Sequence, residues 1–257
     1  MVLGGPLGAV FGAALGHNFD RGLKNTRIDG PGAADRVETI QSAFFTATFF
    51  MMGHIAKADG RVSQHEINIA QHVMRQMNLN EQQKKVAINL FEQGKNQKHQ
   101  AREILEQFRL ECHRRRNLMQ MFLEILVMTA YSDGALHNSE QEALWDIAKG
   151  LGFSKTVFQQ ILQRGQAQQH FQQNRRANQQ SRSADRSRMT MSDAYKLLGI
   201  TSSASDEEVK KAYRRQMNQH HPDKLVSKGL PQEMMDIANQ RTQDIKSAYE
   251  LIKQSRN

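Results

Sequence analysis

Glu208-Val209-Lys210-Lys211-Ala212-Tyr213-Arg214-Arg215, followed shortly by His220-His221-Pro222-Asp223-Lys224-Leu225-Val226, decides the fold of the C-terminal part of this chain. Pro222 fixes its own φ and has no N–H, so the basic helix must stop there. His221 and Asp223 then sit on a stiff, exposed corner and not on a helix face. Val209, Ala212 and Tyr213 recur at i, i+3 and i+4, a spacing that turns them inward. Their partners are Ile245, Ala248, Tyr249 and Ile252 on a second, returning helix. Lys210, Lys211, Arg214 and Arg215 are left facing mostly outward.

Upstream stands Asp193-Ala194-Tyr195-Lys196-Leu197-Leu198-Gly199, and downstream Ile245-Lys246-Ser247-Ala248-Tyr249-Glu250-Leu251-Ile252. This ordered set resembles a J domain over Thr190–Asn257. J domains are the helical-hairpin modules by which DnaJ-type co-chaperones stimulate the ATPase of DnaK-type heat-shock chaperones. The resemblance implies that His221, Pro222 and Asp223, with Lys210, Lys211, Arg214 and Arg215, meet an acidic surface on such a chaperone. The basic face would speed and orient encounter, and the corner would supply short-range geometry. A basic helix alone is usually a solvated face; the adjoining corner favours the functional reading. Gln216 stands where many J domains have Leu, and Thr242 where many have Phe, so a slightly thinner core is expected. No Gly/Phe-rich segment or cysteine repeat accompanies the domain.

Hydrophobic residues at 39% and charged ones at 24% predict a folded bulk. With no clear alternating apolar/polar runs, the fold class is all-α. One cysteine, Cys112, excludes an intramolecular disulfide and a Cys/His zinc site. The net charge of +9 is uneven: residues 164–190 carry six Lys/Arg against one Asp/Glu. The folded parts are therefore nearly balanced, and no nucleic-acid partner is expected.

Met1–Gly16 reads MVLGGPLGAVFGAALG, with no ionisable side chain before His17 and with Arg21, Lys24 and Arg27 after it. As a helix it spans about 24 Å, against a hydrocarbon core of about 30 Å. No positive region precedes it, which argues against a signal peptide. Residues 1–19 are expected to be a membrane anchor, short or truncated, and 20–32 a juxtamembrane linker. A Gly-rich leader is the plainer alternative. The positive charges that follow predict a single pass with the bulk of the chain in the cytoplasm. Gly4, Gly8, Gly12 and Gly16 form a side-chain-free stripe that would let two such helices approach and pair as a homodimer. The plainer reading is that Gly is common in short membrane segments.

From Val37 a helix-dense region runs to Arg164. Phe44, Phe45, Phe49, Phe50, Met51, Met52 and Ile55 mark one apolar helix; Leu118, Met121, Phe122, Ile125, Leu126 and Met128 mark another. Each ends in the same phrase. The first is Ala58-Asp59-Gly60-Arg61-Val62-Ser63-Gln64-His65-Glu66, and the second Ser132-Asp133-Gly134-Ala135-Leu136-His137-Asn138-Ser139-Glu140. The copies lie 74 residues apart, which indicates an internal duplication. The duplicated phrase resembles the TerB-like tellurite-resistance domain over residues 33–164. Asp59, Glu66, Asp133 and Glu140 would hold a divalent cation if the copies pack about a pseudo-twofold axis. Helix capping by Gly60, Gly134 and Ser63-x-x-Glu66 explains most of them without metal.

Residues 165–189, rich in Gln, Arg, Asn and Ser, are expected to be a flexible tether to the J domain at 190–257. An apolar start, a TerB-like domain and a terminal J domain together resemble the membrane-anchored DnaJ-like co-chaperones of Gram-negative bacteria. That resemblance implies an inner-membrane regulator with no cofactor of its own. It also implies an unidentified protein ligand for the TerB-like domain and a role in envelope stress and surface-polysaccharide signalling. In that family the anchor usually begins further upstream. No nucleophile–base pair, Walker loop or dinucleotide fingerprint is present, so an enzyme is not expected. A TerB-like metal-responsive sensor, with the J domain as its output, is the alternative.

Overall fold

The computed structural model describes residues 5–9, 33–58, 71, 73–75, 77, 79–131, 136–179 and 190–256. Helix α1, Ala33–Ala56, is buried on every face from Ile40 to Gly53, so it is the central element. Of its buried polar groups, Thr48 Oγ1 donates to the Phe44 carbonyl at 2.7 Å, and Gln41 Nε2 donates to the Leu230 carbonyl at 3.5 Å. Around it pack α2 (Glu81–Asn96), α3 (Ala101–Glu111), α4 (Arg116–Ala130) and α5 (Asn138–Gly150). Phe44, Phe108 and Phe122 meet edge-on or tilted, with ring centroids 4.5–5.9 Å apart. That geometry suits the aromatic quadrupole. Helix α6, Lys155–Gln179, packs on α4. Among the described residues no strand is present.

The duplication is structural. Helices α1 and α4 end at Ala56 and Ala130, while α2 and α6 begin at Glu81 and Lys155; both offsets are 74 residues. The starts are capped alike. Asn80 Oδ1 accepts from Gln83 N at 2.9 Å, and Ser154 Oγ accepts from Val157 N at 3.4 Å. The helix crossings correspond too, with the small residue exchanged between partners. A Cβ on Gly53 would stand 2.0 Å from the Phe91 carbonyl oxygen. At the matching crossing Val127 takes the place of Gly53, and Gly165 that of Phe91. There a Cβ on Gly165 would stand 2.6 Å from Val127 Cγ1.

The C-terminal part comprises α7 (Met191–Leu198), α8 (Asp206–His220), α9 (Pro222–Val226) and α10 (Met235–Arg256). Thr190 Oγ1 caps α7 through Asp193 N, and Ser205 with Glu208 forms a capping box on α8. Val209 and Ala212 pack with Ile245, Ala248 and Ile252, and the Tyr213 and Tyr249 rings stack at 4.3 Å. The two departures from the J-domain pattern are accommodated by hydrogen bonds. Gln216 is buried and its Nε2 donates to the Leu198 carbonyl at 3.4 Å; Thr242 Oγ1 donates to the Asn239 carbonyl at 2.8 Å.

The expected tether is different in the structure. Helix α6 runs on to Gln179, and Ala167 is buried inside the core of the C-terminal part. Gln and Arg are good helix formers, and packing against two neighbours replaces the apolar face that the segment lacks. Residues 180–189 lie outside the described residues. The two parts also share a core, for Leu225, Leu230, Met234, Ile237 and Ala238 cluster with the residues of α1–α6.

Candidate functional site

The corner is built by backbone geometry. Helix α8 stops at His220, His221 takes φ −59° and ψ 123°, and Pro222 opens α9 at its first position. Leu225 N–H then donates to the His221 carbonyl at 3.0 Å. Pro222 is buried, while the His221 and Asp223 side chains are 45% and 85% exposed. Their Nδ1 and Oδ2 atoms stand 3.9 Å apart. Lys210, Lys211, Arg214 and Arg215 are all exposed, and their spacing along α8 makes one cationic strip leading toward the corner. The start of α8 is tied down from the C-terminus. Arg256 binds Asp206 Oδ1 at 2.7 Å, Tyr195 Oη at 2.9 Å and the Ala204 carbonyl at 2.8 Å.

Immediately before the corner lies a buried polar cluster between the two parts. Glu124 on α4 is 2% exposed. Its Oε2 stands 2.8 Å from His220 Nε2 and 3.8 Å from Arg241 Nη2, and its Oε1 accepts from Gln120 Nε2 at 2.8 Å. His220 Nδ1 faces the Gln216 carbonyl at 3.0 Å, so both ring nitrogens face acceptors. Burial pushes the Glu124 carboxyl up. The charges of His220, Arg241 and Arg164 and the His220 hydrogen bond outweigh that and hold it well below the usual carboxylate range. Gln219 Nε2 donates to Gln120 Oε1. Gln168 Nε2 donates to Asp244 Oδ2 at 2.9 Å, and Gln83 Nε2 to Glu233 Oε1 at 2.6 Å.

Of the residues expected to hold a cation, Asp59, Glu66 and Asp133 lie outside the described residues. Glu140 accepts from His137 N–H at 2.9 Å at the start of α5, a capping contact. Among the described residues no group of three potential ligands comes together. Gly4, Gly12 and Gly16 also lie outside them. Gly8 sits in the short helical segment 5–9, where Leu7 is buried and its N–H donates to Gln107 Oε1 at 2.7 Å. Among the described residues no helix is long and apolar enough to cross a membrane. Glu124 and Arg241 are absent from the residues picked out by sequence, and His220 stands there only as part of the stretch around the corner. The available signal was one carboxylate inside the apolar run Leu118–Met128.

Three family models match. That of the tellurite resistance protein TerB covers residues 45–163, that of the DnaJ domain covers 193–257, and that of the co-chaperone DjlA transmembrane domain covers 1–26. Curated relatives are similar over nearly the whole chain. The co-chaperone protein DjlA of Photobacterium profundum is 42% identical, across 99% of this chain and 95% of its own length. That of Coxiella burnetii is 42% identical across 100% and 94%. That of Vibrio cholerae is 41% identical across 94% and 89%. No solved structure matches. The corner, the duplicated helical domain and these likenesses agree: the chain belongs to the DjlA family of membrane-associated J-domain co-chaperones.

Proposed function

We propose that this chain docks on a DnaK-type chaperone and speeds its ATP hydrolysis at the cytoplasmic face of the inner membrane. His221, Pro222 and Asp223 make the short-range contact, and Lys210, Lys211, Arg214 and Arg215 steer the encounter. The observation that carries this reading is the proline-fixed corner, with an open imidazole and an open carboxylate, at the end of a helix bearing four exposed cations. The hydrolytic chemistry belongs to the partner. The match of residues 1–26 to a transmembrane domain supports an anchor. We read it as a single pass that pairs through Gly4, Gly8, Gly12 and Gly16. The first domain then takes an unidentified protein ligand, in service of envelope stress and surface-polysaccharide signalling.

The test is His221→Gln. Single-turnover hydrolysis by the chaperone should lose its stimulation, while far-UV circular dichroism of the variant stays that of the wild type, because His221 is half exposed and sits outside both apolar cores. Undiminished stimulation by the folded variant would remove the basis of this reading.

A further inference from the structure

The corner is pinned on both sides by the first domain. His220, just before it, is held by Glu124; Leu225, just after it, enters the core shared with Ile40 and Leu118. The His221 ring is open on one edge only, because its Nδ1 is buried and has no hydrogen-bond partner. Six buried side-chain polar atoms lack a partner among the described residues. Three belong to this seam, Arg164 Nε, Gln168 Oε1 and Glu233 Oε2, and a fourth, His221 Nδ1, lies on the adjoining corner. Native cores leave few such atoms, and their concentration at one boundary needs a reason. Each regains water when the seam parts, so opening costs less here than across the aromatic core of α1, α3 and α4. The apolar contacts of Leu230, Met234 and Ile237 favour closure, and the unsatisfied atoms oppose it. Such a balance suits an interface that opens and closes.

We propose that the first domain is a reversible brake on the corner: docked, it fixes the corner from both flanks by holding His220 on Glu124 and Leu225 in the shared core; parted, it frees the corner to adjust to the chaperone. The brake rests on the co-chaperone reading above, but the docking does not. The cationic strip stays exposed in the docked state, so a chaperone can be met before the corner is released.

The test uses the full chain in detergent, spin-labelled at Lys85→Cys and Lys253→Cys, both exposed. Cys112 stays silent, since burial pushes its thiol well above the ordinary range. Two variants part the seam. Glu124→Gln strands the buried cations. Gln219→Glu sets a carboxylate beside Gln120 and Glu124 from a half-buried position on α8. Fluorescence of Trp145, which packs on Phe158 at 5.5 Å, reports whether the first domain stays folded. Pulsed dipolar spectroscopy should show one narrow distance in the wild type and a broad, longer distribution in the variants. Carbethoxylation of His220 should become several-fold faster, and chaperone ATPase stimulation should rise several-fold. Narrow distances and a protected His220 in both variants would overturn the docking. A parted seam without increased stimulation, where His221→Gln still abolishes the wild-type effect, would overturn the brake. If wild type and variants all fail to stimulate, the co-chaperone reading falls and the brake with it, while the distances still decide the docking.

Discussion

Gly94→Ala should destabilise the first domain severely, although it replaces a poor helix former by the best one. In a helix interior Ala is favoured over Gly by about 1 kcal/mol. Against that stands the crossing of α2 over α1. A Cβ on Gly94 would lie 1.9 Å from the Phe50 carbonyl oxygen and 3.1 Å from His54 N, both backbone atoms that no rotamer change can move. An ordinary carbon–oxygen contact is about 3.3 Å, so the helices would have to separate by about 1.4 Å at their tightest point. A gap of that size forfeits much of the dispersion energy along the interface, and overpacking costs about 1–3 kcal/mol or more. Because two rigid backbone atoms stand in the way, the cost lies at the top of that range or above it, and after the gain in propensity the net expectation is a loss of about 2 kcal/mol or more, or roughly 4–8 °C or more in Tm for a chain of this size. Gly165→Ala is the internal control. There the obstacle is Val127 Cγ1 at 2.6 Å, one methyl at the end of a side chain, and the backbone is not in the way. Its net effect should lie within about 1 kcal/mol of zero. Urea and thermal unfolding followed by far-UV circular dichroism measure both. A Gly94→Ala protein as stable as the wild type, or a Gly165→Ala protein that suffers more, would refute the backbone-contact argument.

The anchor reading makes a paired prediction. A chain beginning at Gly30 should leave the membrane fraction after a salt wash. Gly8→Leu with Gly12→Leu should stay inserted but crosslink less to a second copy, by about 1–2 kcal/mol in association. Retention of the shortened chain on membranes, or equal crosslinking, would count against the respective half. The Glu124 carboxyl makes a pH prediction. Its folded-state pKa is depressed, so its contribution is present above the unfolded carboxylate value of about 4.3 and is lost as pH falls from there toward the folded value. Glu124→Gln should cost about 3–5 kcal/mol at neutral pH. The gap in urea midpoint between it and the wild type should narrow only below about pH 4. A gap that is unchanged in strong acid would show that the charge of Glu124 is not what stabilises the seam.

The parts of the fold legible in sequence are those fixed locally. Pro222 ends a helix wherever it stands, and Val209, Ala212 and Tyr213 declare an inward face through spacing alone. The duplicated region was legible because two apolar helices end in one phrase, and the 74-residue offset recurs in the helix boundaries themselves. The corner's geometry came with Pro222. The seam did not, because its partners are far apart in the chain: Glu124 and His220 are separated by 96 residues, Gln83 and Glu233 by 150. In sequence His220 stands only as a neighbour of His221, and nothing singles out Gln219 or Arg241. Nothing local marks a polar residue whose partner lies in another domain. The continuation of helix α6 past Arg164 is not legible for a related reason. Composition speaks of what a segment can bury by itself, and this one is ordered by what others bury against it.

Helix α6 therefore does more than connect. Arg164, Gly165 and Ala167, within one turn, serve three different neighbours. Gly165 admits Val127 of α4 at close range, and Ala167 lies in the core with Ala194 and Leu198. The Arg164 guanidinium reaches across to Gly199, where a Cβ would meet Nη2 at 2.7 Å and where φ is +70°. Glycine is thus required at the end of α7 both for its backbone conformation and for the approach of Arg164. The same guanidinium contributes to the field that keeps Glu124 ionised. A single helix that presents residues of one turn to α4, to α7 and to the buried carboxylate cannot shift against one of them without disturbing the others. The link between the α4–α6 crossing of the first domain and the footing of the corner is thus made of packed backbone and one buried charge cluster and not of a slack tether.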